Sequence, residues 1–315
     1  MNGKNLNVRY RKNAYAKTRI KVIAAILGVV ALVLIVLFLV FGGLLKKKVE
    51  EDKQNPGTHG TQSADVLPEN AETPAVNGYG VNLAGITASA VAEKINDISK
   101  VGGNNISFLV RDASGNEIYK STLAQSKGKQ ADSGYIDISD IDSRAANRGL
   151  SSSAIVPVNS LGKVNDIERA TDLFYDASIC VETSREGVDD VLVKLEGAEV
   201  TEENIEELVR FSEWVKELDP TVVLGITLTR DVLTKENAET LVARLWEKYD
   251  FLALDLTSMN GGETVSQEGS NNEIQFYLLM YKMRVLLPDL PAEELAPIIE
   301  EIKSMNVNNW QTVAR

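Results

Sequence analysis

Val22 to Leu45 is a run of 24 residues without a charged or strongly polar side chain. A helix that is apolar on every face must be surrounded by a core or by lipid. No other segment of this chain offers such a core. Crossing a hydrocarbon layer of roughly 30 Å takes about 20 apolar residues, whereas the apolar part of a cleaved signal peptide usually spans about 7–15. Leu44-Leu45-Lys46, following Phe41-Gly42-Gly43, also fit a cleavage site poorly. The expectation is therefore a retained single transmembrane helix over residues 22–45, with the lipid bilayer as its partner.

Orientation follows from the Lys and Arg residues close to the span. Seven precede it, from Lys4 to Lys21, and three follow it, Lys46 to Lys48, before Glu50, Glu51 and Asp52. This bias keeps residues 1–21 in the cytoplasm as a basic tail and puts the C-terminal part outside the membrane. All 45 Asp and Glu lie beyond Val49, while ten of the 33 Lys and Arg precede it, so the exported part is strongly acidic. Such a surface repels nucleic acid, which demands a basic footprint. Residues 46–77 read as a flexible linker, with Asn55-Pro56-Gly57, Gly60, Pro68 and Pro74 and no apolar period.

Residues 78–315 are long enough to bury a core of their own. They cannot rely on an intramolecular disulfide, because Cys180 is the only cysteine. It sits in the apolar stretch Ala177-Ser178-Ile179-Cys180-Val181, which suits a small buried hydrophobe. The only histidine, His59, falls in the linker. Ser-His-Asp chemistry and His-based zinc sites therefore lack their parts, and no cofactor or metal is expected.

Along this domain, short apolar runs alternate with helical patterns. Strands are expected at Tyr79–Ala84, Ile106–Val110, Ser152–Val158, Ala177–Val181, Asp190–Leu195, Val222–Thr229, Phe251–Thr257 and Trp310–Val313. Helices are expected at Ser89–Val101, Ile138–Asn147, Asp166–Phe174, Thr201–Leu218, Leu233–Lys248, Ile274–Leu287 and Ala292–Met305. Repeated β-then-α with crossover-length connections predicts a parallel sheet covered by helices. Seven or eight repeats favour a (β/α)8, TIM-like barrel, complete or short of a unit, over an open dinucleotide-binding sheet; no Gly-x-Gly-x-x-Gly follows the first strand. In such a barrel, chemistry belongs at the C-terminal strand ends. There the sequence offers Asn82, Arg111, Asp112, Asn159, Glu182, Lys194, Glu196, Thr229, Arg230, Asp255 and Thr257.

Gly187 to Gly197, Gly-Val-Asp-Asp-Val-Leu-Val-Lys-Leu-Glu-Gly, resembles the fourth-strand signature of family-18 chitinase-like glycoside hydrolases, Asp-x-x-Asp-x-Asp-x-Glu. Asp189 matches the first acid and Glu196 the catalytic acid, while Leu192 and Lys194 replace the two middle aspartates. Asn105 to Ser121 and Asp250 to Asp255 resemble the second and sixth strands of glycoside hydrolase-like domains on bacterial surface proteins. The resemblance implies a barrel that is degenerate at its catalytic motif. Side chains two apart on a strand share a face, so Leu192, Lys194 and Glu196 would all point into the barrel. A lysine cannot orient an acetamido group as an aspartate does. Its charge also favours the ionised form of Glu196, whereas a general acid must hold a proton.

Three readings follow. The first is a membrane-anchored domain that binds cell-wall glycan or an envelope protein without cleaving it. The second is an active glycosidase acting on envelope polysaccharide, with Glu196 as general acid and a carboxylate partner among Asp189, Glu182, Asp112 and Asp255. The third is a scaffold of an envelope complex. Glycoside hydrolysis usually needs two carboxyl groups flanking the bond, so the geometry around Lys194 discriminates between them.

Overall fold

The computed structural model describes residues 75–314, apart from 84–86, 132–136, 164, 260–264 and 266–270. The anchor expected at 22–45, the basic tail and nearly all of the linker lie outside the described residues. Among the described residues no helix is long and apolar enough to cross a membrane.

Eight parallel strands close into a barrel in sequence order. They are β1 (Asn77–Gly80), β2 (Asn105–Leu109), β3 (Ser151–Val158), β4 (Asp190–Leu195), β5 (Leu224–Leu228), β6 (Phe251–Asp255), β7 (Arg284–Pro288) and β8 (Trp310–Val313). Closure comes from β1 pairing with β8, with Asn77 opposite Trp310 and Gly78 opposite Gln311. The helices α1 (Ala88–Lys100), α2 (Thr122–Lys127), α3 (Ile138–Ala146), α4 (Asp166–Arg185), α5 (Ile205–Leu218), α6 (Arg230–Leu233), α7 (Ala238–Trp246), α8 (Asn271–Met280) and α9 (Ala292–Ser304) fill the connections. The (β/α)8 expectation holds, and the barrel is complete.

Two segments change the strand count from the sequence reading, in opposite senses. Ala177–Val181 is not a strand but lies inside α4. Leu173, Tyr175, Asp176, Ala177, Ile179, Cys180, Val181 and Thr183 are all buried there, so no broad polar stripe marks this part of the helix. A short apolar run cannot be assigned by periodicity alone. Ile274–Leu287 is not one helix. Helix α8 stops at Met280, a turn follows, and β7 starts at Arg284. Lys282 takes a φ of 46° there, and Met283 N donates to Leu278 O at 3.0 Å. This left-handed helix ending usually carries Gly, which would have signalled the stop. One strand too many and one too few left the count of eight intact.

The barrel interior is layered. At its bottom, Arg284 Nη1 and Nη2 donate to Asp190 at 3.1 and 3.0 Å, Nη1 also donates to Gln311 Oε1 at 2.8 Å, and the guanidinium stands 4.2 Å over the Phe251 ring. Above lies an apolar layer of Ile155, Leu192, Ala253, Leu286 and Val313. Gly225 faces Phe251 so closely that a Cβ would come within 2.3 Å of the ring. Outside the barrel, apolar helix faces pack on the outward strand residues. Cys180 is fully buried in that layer, and burial pushes its thiol up, so it behaves as a small hydrophobe.

Candidate functional site

The alternation of β4 that buries Asp190 and Leu192 inside the barrel also carries Lys194 to its mouth. Lys194 is 5% exposed. Its ammonium lies 3.2 Å from Asp255 Oδ2 and 3.6 Å from Glu196 Oε1. Asp255 ends β6, two strands away, and its other oxygen accepts from the Thr257 amide at 2.8 Å and the Thr257 hydroxyl at 2.7 Å. Glu196 follows β4 and keeps 42% of its side chain exposed. Sharing one ammonium places the two carboxylate oxygens no more than about 7 Å apart, within the span of glycosidase carboxyl pairs. The space between them, however, holds a cation. As long as both ion pairs stand, neither carboxylate is unengaged.

A cavity of about 550 Å³ opens on this cluster, bordered by Lys194, Glu196, Thr229, Asp231, Asp255 and Met259. A second, of about 710 Å³, lies on the other side of Glu196 and reaches Arg111, Lys129, Asn159, Lys163 and Asp172. Glu196 borders both.

The floor of the second lobe is a buried charged network. Arg111 follows β2. Its Nε donates to both oxygens of Glu117 at 3.0 Å and its Nη2 to Asp176 Oδ1 at 2.7 Å. Tyr175 donates to Glu117 at 3.0 Å, and Ser160 donates to the other oxygen of Asp176 at 2.9 Å. Burial works against charge on Arg111, but Asp176 and Glu117 outweigh it and hold its pKa above the ordinary value. Burial pushes both Glu117 and Asp176 up, and the guanidinium offsets it only in part. Two acids thus share one buried arginine. At the rim, Asp172 sits between Lys163 and Lys129. Burial alone would raise its carboxyl, but Lys163, with Lys129 and Lys127 nearby, holds it below the usual range.

The expected site residues separate into three groups. Glu196 and Asp255 converge on Lys194. Asp112 lies on the wall of the second lobe, but its Oδ1 accepts from the amides of Ser114 at 2.8 Å and Asn116 at 2.9 Å and so shapes the loop. Glu182 and Asp189 are not at the mouth. Glu182 is in α4, because the run before it is helical; it accepts from the hydroxyls of Tyr119 and Ser121. Asp189 precedes β4 at the opposite end of the barrel, where its Oδ2 accepts from the Ser152 amide at 2.8 Å. Positions at that end serve stability. Glu117 and Asp176 escaped the sequence reading. The one available signal was an acid, Asp176, standing among the apolar residues of 173–181.

No family model matches the sequence. No curated protein sequence matches it either. Solved structures do resemble it. An FMN-binding beta-glucuronidase from Facaelibacterium prausnitzii L2-6 superposes with a TM-score of 0.50 at 10% identity, over 77% of this chain and 38% of that one. A GH18 chitinase from Pseudoalteromonas aurantia gives 0.49 at 10% identity, over 76% and 93%. The Bacillus cereus spore cortex-lytic enzyme SleL gives 0.47 at 12% identity, over 75% and 70%. The likeness is one of fold. At these identities a barrel shared with glycosidases carries no residue role across. Among the described residues, no group of three or more His, Cys, Asp or Glu could hold a metal ion.

Proposed function

We propose that the chain is a membrane-anchored, extracytoplasmic, glycosidase-like barrel that binds a cell-wall glycan at its mouth and does not cleave it. The observation that carries the reading is Lys194, whose ammonium is bound by both Asp255 and Glu196. Hydrolysis needs one carboxyl group with a proton to give and another free to attack or to activate water. An ammonium shared by Glu196 and Asp255 leaves neither carboxylate unengaged. The cavities on either side of Glu196, bordered by charged and polar side chains among apolar ones, remain open to a polyhydroxylated ligand. Retention at the envelope rests on the apolar run 22–45 and the Lys and Arg before it.

The test uses the full-length protein in detergent micelles, mixed with purified peptidoglycan sacculi and pelleted, with the supernatant assayed for released sugars. The expected result is co-sedimentation without release. Release that disappears in Glu196→Gln would instead establish an active glycosidase. Failure to bind any wall fraction would leave a partner protein or a scaffold role.

A further inference from the structure

The larger lobe of the mouth carries charge that the proposed function does not use. In a strongly acidic domain, Lys129 and Lys163 meet at its rim and share the single carboxylate of Asp172. Lys129 Nζ lies 3.7 Å from Oδ1, and Lys163 donates to Oδ2. One carboxylate stands between two ammonium groups, so this corner of the rim carries a local positive excess. The other ions there are already engaged. Arg111 is shared by Glu117 and Asp176, Lys194 by Glu196 and Asp255, and Asp112 is held by backbone amides, which leaves Lys129 and Lys163 as the donors this lobe offers an anion.

The two lysines are also held in place. The Lys129 carbonyl accepts from the Glu117 amide at 2.8 Å, and its ammonium stands 4.5 Å over the Tyr175 ring. Lys163 follows the 3-10 turn after β3, and its carbonyl accepts from Arg169 Nη1 at 2.9 Å. Their side chains are nevertheless 39% and 42% exposed, so an incoming group can reach them.

We propose that this lobe receives a sugar bearing an anionic group, a carboxylate or a phosphate, with Lys129 and Lys163 as its binding residues. The inference rests on the glycan reading above and names the class of glycan. An anion that reaches the two ammonium groups from the lobe side, beside Asp172, gains charge-assisted hydrogen bonds that a neutral sugar cannot make. A lobe of about 710 Å³ also leaves room for the rest of a saccharide against the same wall.

Isothermal titration of the full-length protein in micelles would test it with paired probes. N-acetylglucosamine tetramer and hyaluronan tetrasaccharide differ in carboxylates; N-acetylglucosamine and its 6-phosphate differ in phosphate. The expected result is a preference of about fivefold or more for one anionic probe over its neutral counterpart at low salt. In the double variant Lys129→Gln, Lys163→Gln that preference falls to about one, and about 0.5 M salt weakens it in the native protein. The preferred anionic probe identifies the group. Equal affinity for anionic and neutral probes, with the neutral ones binding, overturns this inference and leaves the glycan reading standing. So does a preference that survives in the double variant. No binding of any probe, together with no binding to sacculi, overturns both.

Discussion

Replacing Arg284 by Met tests whether a single ion pair organises the floor of the barrel. Arg284 is 1% exposed, and it donates to both oxygens of Asp190 and to Gln311. The variant keeps an unbranched side chain of comparable length over Phe251 but leaves the Asp190 carboxylate, 9% exposed, without its cation. Removing one partner of a buried pair costs about 3–5 kcal/mol, and an unsatisfied amide oxygen adds roughly 1 kcal/mol. For a domain of this size each kcal/mol shifts the melting temperature by about 2–4 °C, so a loss of roughly 10–15 °C is expected. Urea unfolding followed by circular dichroism gives the free energy directly, with an unchanged slope showing that the native state is still compact. Adding Asp190→Asn to Arg284→Met should recover about 2 kcal/mol, because the stranded charge is then gone. A single variant costing less than about 1 kcal/mol, or a double variant with no recovery, would refute the assignment.

Four further outcomes follow from the structure. Gly225→Ala places a methyl group against the Phe251 ring, which is pinned beneath Arg284, so a loss of about 1–3 kcal/mol is expected in the same urea titration. Tyr175→Phe removes the hydroxyl bond to Glu117 and should cost about 1 kcal/mol by thermal melting. Glu117 and Asp176 are both raised in the folded state, mainly by burial. A raised acid contributes stability below its unfolded value, near pH 4, and that contribution is lost as pH rises through the folded value. Native stability minus that of Glu117→Gln, measured across pH, should therefore decline from about pH 4 upward; a flat difference would count against the shared-arginine account. Lys194→Met strands Asp255 and half-exposed Glu196, so a loss of about 2–3 kcal/mol is expected, toward the low end because Thr257 still binds Asp255.

The errors of a one-dimensional reading are visible in particular residues. The period of β4 was legible: Asp190, Leu192, Lys194 and Glu196 alternate with apolar residues, and the structure puts the first three on the barrel axis. The identity of α4 was not legible, because Ala177 to Val181 is apolar on either assignment and only its packing makes it helical. That one difference moved Glu182 from a strand end to an outer helix. It also concealed Asp176, which that reading left in the connection between the helix 166–174 and the strand 177–181. Strand β7 was hidden because a lysine, Lys282, ends the preceding helix in the conformation that glycine usually takes.

By itself the sequence determined the repeated β-α order, the barrel class and the replacement of acids by Leu192 and Lys194, since these depend on local period and residue type. The tertiary structure alone decided which charges meet. Lys194 and Asp255 stand on β4 and β6, with β5 between them, and Arg111, Glu117 and Asp176 come from a strand end, a loop and a helix. Whether an acid is free, paired or buried depends on neighbours that are distant along the chain, and closure of the barrel is what makes them neighbours.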